Sequence, residues 1–80
     1  MRYGALITIK SWYIEYLSEY VSKNKVKDTK FYEEFLSNTT FVYLGEIAQM
    51  PGHIICAGKN GKVYFGFHAE DFRELTDEEA

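Results

Sequence analysis

The chain has 80 residues, one cysteine and a formal charge of −3 at neutral pH. That length holds one domain with a thin core, and a single cysteine excludes an internal disulfide framework. Hydrophobic residues make up 46% of the chain and aromatics 18%, too apolar a mixture for disorder. The acidic balance disfavours general nucleic-acid binding, whose affinity comes from Lys and Arg on phosphates.

The opening run, Met1 to Trp12, has no small-residue cleavage site and is broken by Thr8 and Lys10, so it does not read as a signal peptide. No apolar stretch approaches the roughly 20 residues of a membrane helix. A cytoplasmic protein without a membrane partner is the expectation.

Arg2 to Lys10 reads as a first strand, with Leu6, Ile7 and Ile9 as strand formers and Gly4 marking a bend. Ser11 is the expected N-cap of a helix, its hydroxyl free to accept a backbone N–H. Tyr13, Tyr16, Leu17, Tyr20 and Val21 recur at spacings of three and four and share one helical face. Glu15 and Glu19 lie across part of the opposite side. The helix should fade at Lys23–Asn24, where a lysine suits the negative end of the helix dipole. Asp28 or Thr29 then caps a second, shorter helix, with Phe31, Phe35 and Leu36 as its apolar stripe and Tyr32 beside them. Asn38 is its stop.

From Thr39 the period changes. Thr39 to Ile47 is rich in β-branched and aromatic residues and reads as a strand. Gln49–Met50–Pro51–Gly52 is a turn, since Pro presets φ and Gly accepts a positive one. His53 to Gly58 is the next strand. Lys59–Asn60–Gly61–Lys62 holds Asn-Gly, a hairpin signal, and Lys62 to His68 is the return strand. The chain closes on Gly66 to Leu75 and a short acidic tail. Six of its twelve acidic residues, Glu70, Asp71, Glu74, Asp77, Glu78 and Glu79, fall in this last part.

This order resembles the SH3-like small barrel. In that family a long strand ends near a Gly, one turn of 3₁₀ helix follows, and a short strand closes the barrel with an aromatic and an aliphatic residue. Gly66, Ala69–Glu70–Asp71, Phe72 and Leu75 match that layout. The resemblance implies an α+β fold: a five-stranded SH3-like β-barrel with two helices inserted after the first strand. Residues 1–80 then form a single domain, with a first strand over 1–10, a helical insertion over 11–38, the remaining strands over 39–75 and an acidic tail over 76–80. The chain departs from the peptide-binding SH3 domains. Pro51–Gly52–His53 lacks their Trp, and Ala69–Glu70–Asp71 lacks their Pro–Tyr pair. Without those aromatic walls a polyproline groove is not expected. In size and composition the chain is also similar to accessory proteins of phages and mobile elements, including anti-CRISPR and other anti-defence inhibitors.

Chemistry-bearing residues are sparse. His53 and Cys56 form H-x-x-C, but positions three apart on a strand point to opposite sides, and a structural zinc site needs about four ligands. Cys56 sits between Ile55 and Ala57, an apolar setting that does not favour a catalytic thiolate. No spacing singles out a pair of carboxylates, and the Gly-containing turn at 58–62 is no phosphate loop. The expectation is therefore no enzyme, no metal and no cofactor.

What remains is surface. Exposed Tyr and Trp dominate protein–protein hot spots, and clustered carboxylates speed encounter with a basic partner. The candidate contact residues are Trp12, Tyr13, Tyr16, Tyr20, Glu70, Asp71 and Glu74. The expected function is a non-enzymatic protein-binding module of the phage inhibitor or adaptor type. Its partner would be a larger host protein with a basic nucleic-acid-binding surface, such as a defence nuclease. The alternative is a nucleic-acid accessory barrel using Lys23, Lys25, Lys27 and Lys30, with aromatics stacking on bases. The chain is read as a monomer or a homodimer formed through an unpaired closing strand.

Overall fold

The computed structural model describes residues 1–23 and 29–79. Among them are five strands and two helices: β1 (Leu6–Ile9), α1 (Ser11–Ser22), α2 (Thr29–Leu36), β2 (Phe41–Glu46), β3 (His53–Gly58), β4 (Val63–His68) and β5 (Phe72–Glu74). A single 3₁₀ turn, Ala69–Asp71, joins β4 to β5. All pairings are antiparallel, and the strands lie in the order β4-β3-β2-β1-β5.

The architecture is α+β, as the sequence order implies, but the sheet is open. β4 and β5 form its two edges and share no ladder. The physical reason lies at the connector. The 3₁₀ turn is fastened at Ala69 N–H to the Gly52 carbonyl (2.8 Å) and at the Asp71 carbonyl to the Lys10 N–H (2.8 Å). These bonds aim the three residues of β5 at β1, where Ile7, Thr8 and Ile9 face Glu74, Arg73 and Phe72. The edges approach only through side chains, with the Phe67 and Phe72 rings 6.4 Å apart.

Two bulges flank the middle of β3. One extra residue enters β2 between Tyr43 and Gly45, and another enters β4 opposite Ile54–Ile55. Gly45 (φ 137°) and Gly66 (φ 95°) supply the backbone conformations these kinks require. The sheet curls around β3 and cups the helices.

The core fills that concave side. Ile7, Ile9, Phe41, Ile54, Cys56, Tyr64, Phe67 and Phe72 come from the sheet, and Leu17 and Phe35 from the helices. Phe35 is the centre. It stacks on Phe67 at 4.2 Å and meets Phe41 and Tyr64 at 5.1 Å each.

Several local expectations are corrected. Ser11 is the first residue of α1 rather than its cap. Lys10 holds the extended N-cap conformation and makes no side-chain cap bond. Helix start is instead marked by the tether of Lys10 N–H to Asp71, which turns the chain off the sheet. Thr29 opens α2 from inside the helix, and Asp28 lies outside the described residues. β1 is shorter than expected because Ala5 N–H closes a turn onto the Arg2 carbonyl (2.9 Å) around Gly4 (φ 82°). The acidic tail is folded through residue 79. Glu79 accepts two bonds from Arg73 (2.8 and 2.7 Å) and one from Thr76 N–H (3.0 Å).

Candidate functional site: the aromatic flank of α1

On a helical wheel of about 100° per residue, Trp12, Tyr16, Tyr20 and Tyr13 fall in an arc beside the Leu17 position. Leu17 is the buried residue of α1. The tyrosines therefore flank the core-facing line instead of forming it. The rings make a continuous file. Trp12 meets Tyr13 edge-on at 5.4 Å, Tyr13 stacks on Tyr16 at 6.1 Å, and Tyr16 reaches Tyr20 at 5.6 Å.

Exposure alternates along this file. Trp12 is 54% exposed and Tyr16 53%, while Tyr13 and Tyr20 are half-buried. Tyr13, Tyr16, Leu17, Tyr20 and Tyr32 line an open hollow of about 260 Å³. Glu19 and Lys23, an ion pair one helical turn apart, border the Tyr16–Tyr20 end.

The acidic residues divide. Glu70 is exposed, whereas Asp71 is buried and Glu74 half-buried. Asp71 therefore cannot present a carboxylate to a partner. Desolvation raises its pKa, and Glu70 adds to that, while His68 and Lys10 act in the lowering direction. Its charge is felt at Tyr13, whose hydroxyl burial first, and then Asp71, pushes up to about 12. Tyr13 therefore keeps its proton at neutral pH. Glu74 is held by Arg2, whose N–H reaches it at 3.0 Å and whose guanidinium lies 3.7 Å away.

Cys56 is fully buried, and burial raises its thiol pKa to about 11. It faces the core, while His53 is on the opposite side of β3. His53 instead meets His68 directly across the β3–β4 ladder, with ring centroids 4.2 Å apart. Among the described residues no group of three or more His, Cys, Asp and Glu side chains is placed to hold a metal ion. Of the lysine segment, Lys25 and Lys27 lie outside the described residues. Lys23 pairs with Glu19, and Lys30 is exposed on α2.

Three surface residues were not singled out from the sequence. Tyr32 completes the hollow from α2, and its signal was its place one position off the Phe31–Phe35 core stripe. Val63 and Phe65, 54% and 70% exposed, stand on the outer side of β4. Their signal was a strand with large apolar residues at consecutive positions, which cannot all face one core. Comparison of the chain with protein-family models, with curated proteins and with solved structures gives no match.

Proposed function

We propose that this chain is a non-enzymatic protein-binding module that docks through the aromatic flank of α1. The carrying observation is the file Trp12–Tyr13–Tyr16–Tyr20, in which Trp12 and Tyr16 are more than half exposed and Tyr13 packs against the core. Rigid rings held from below lose little side-chain entropy on binding and cover much area, which is why Trp and Tyr anchor hot spots. Glu15 on α1 and Glu70 beside its start are exposed, and they suit a partner surface rich in Lys and Arg. A phage-type inhibitor or adaptor seated on the basic nucleic-acid-binding surface of a larger host protein, such as a defence nuclease, is the reading that joins these features.

An SH3-like strand layout, left open between β4 and β5, is the fold proposed to carry that surface. Its support is the strand order, the helices inserted after β1 and the single 3₁₀ turn before a closing strand that begins with buried Phe72.

The test is affinity capture from a bacterial lysate with and without nuclease, followed by titration of the identified protein. One stoichiometric partner that survives nuclease is expected. Trp12→Ala and Tyr16→Ala should each weaken it at least tenfold, consistent with hot-spot losses of about 2 kcal/mol or more. Glu70→Lys should slow association without changing the fold. Capture that disappears with nuclease, or binding indifferent to both aromatic variants, overturns the proposal. The first of these outcomes would transfer the function to the lysine segment.

A further inference from the structure

The outer face of the sheet is as apolar as the inner one along its first rows. Leu6, Val42, Ala57 and Val63 stand directly across from one another on β1, β2, β3 and β4. In the next row Ile55 faces Phe65. Exposure is highest at one edge: Leu6 is 39% exposed, Val42, Ala57 and Ile55 are partly buried, and Val63 and Phe65 are 54% and 70% exposed. That edge is β4, which among the described residues pairs only with β3.

Ladder geometry says which backbone groups of β4 are available. Gly58 N–H bonds to the Lys62 carbonyl at 2.9 Å. In an antiparallel pair bonded and non-bonded positions alternate, so Tyr64 is bonded to Cys56, and Val63 and Phe65 direct their N–H and C=O groups away from β3. The two residues with outward backbone groups are thus the two exposed large apolar residues of the strand. An exposed apolar edge of this kind is a template for another strand.

We infer that the occupant is a second copy of this chain, joined β4 to β4 about a two-fold axis at Tyr64. In that register Val63 lies opposite Phe65 of the partner subunit, and Phe65 opposite Val63 of the partner subunit. The two bonded pairs satisfy all four outward groups on each strand. They stop short of the bulge at Gly66, where the regular edge ends. Each exposed apolar side chain gains a cross-strand apolar neighbour. Charge favours the same antiparallel alignment. Lys59 lies at the hairpin end of β4, beside Lys62, which is paired with Glu34, and exposed Glu70 lies just past the other end. Two-fold pairing sets each lysine end beside the opposite acidic end, whereas parallel pairing sets like beside like. The product is a continuous ten-stranded sheet with closed symmetry. A contact of two side chains and two backbone pairs per copy is smaller than the roughly 800 Å² per partner of a standard interface. A micromolar dissociation constant is therefore expected rather than a nanomolar one.

Sedimentation velocity over about 5 to about 500 µM protein brackets that constant. A reversible monomer–dimer equilibrium is expected, and Phe65→Lys should weaken it at least tenfold with an unchanged circular dichroism spectrum. Leu6→Lys, on the same face but away from the edge, should leave it intact. Amide hydrogen exchange reads the register without any substitution. Protection at Val63 and Phe65 should rise with protein concentration, while Tyr64 stays constant. A monomer at every concentration overturns the inference, as does a dimer indifferent to Phe65→Lys. A dimer lost with Leu6→Lys, or one whose concentration-dependent protection falls elsewhere, also overturns it, because the sheets would then meet face to face or by another route.

Discussion

Asn38 fastens the end of α2 to the tip of the β3–β4 hairpin. Its amide donates to the Glu34 carbonyl (3.0 Å) and the Phe35 carbonyl (3.2 Å), and its side-chain oxygen accepts from Asn60 N–H (3.3 Å). Gly58 makes this possible, since a Cβ there would sit 2.6 Å from the Asn38 oxygen. Asn38→Ala should cost about 1–3 kcal/mol by orphaning buried groups. Gly58→Ala should cost a similar amount, about 1–3 kcal/mol, by overpacking. Because the second cost is a collision with the first side chain, the double variant should lose less than the sum in denaturant titrations. Two carboxyl groups have opposite acid responses. Glu79 is held down to about 2 by its bonds to Arg73 and Thr76. Its contribution is present above the ordinary value of 4.5 and is lost as pH falls toward 2. It is small in an exposed pair, and Glu79→Gln should remove it. Asp71 has its pKa raised by desolvation, so its contribution is present at low pH and lost as pH rises through the carboxyl range. Asp71→Asn should therefore raise the melting temperature at neutral pH, with the gain shrinking in acid.

At the scale of elements, local chemistry was legible where it is decided within a few residues. The 53–58 strand, the Asn-Gly turn with Gly61 at φ 83°, and the 3₁₀ turn at 69–71 stand where the sequence puts them. The start of α1 was not legible. Ser11 has the right side chain for a cap, but the bond between Lys10 N–H and Asp71, 61 residues apart in sequence, decides where the helix begins. The periodicity of α1 correctly grouped its aromatics. It could not separate the core line from the flank, because Leu17 alone is buried and the rings around it are amphipathic. Tyr13 offers a check at this scale. Its hydroxyl should ionise near 12 in an absorbance titration, later than an exposed tyrosine. Stability should fall as pH rises from 10 toward 12, because the folded state holds that proton more tightly.

At the scale of the molecule, strand order could be argued from a resemblance in layout, but closure could not. Whether a curled sheet seals depends on how far the bulges at Gly45 and Gly66 bend it and where the 69–71 tethers aim β5, and neither has a signature in composition. The apolar outer face had a sequence signal in the consecutive large apolar residues of β4, but its place at a sheet edge follows only from the strand order. Phe35 is the keystone of what the sheet encloses, and Phe35→Ala should cost about 3–5 kcal/mol, enough to unfold a domain this small at moderate temperature. Cys56 lies at the same centre, completely enclosed, and is the chain's single thiol. The protein thus carries its own clock for interior exposure. While enclosed, the thiol is pushed up to about 11 by burial and is scarcely ionised at neutral pH. Modification by an aromatic disulfide reagent therefore has to wait for the core to open. Its rate, followed as a single exponential in variants such as Gly58→Ala, would report how often the sheet parts from the helices, with no added label and no competing site.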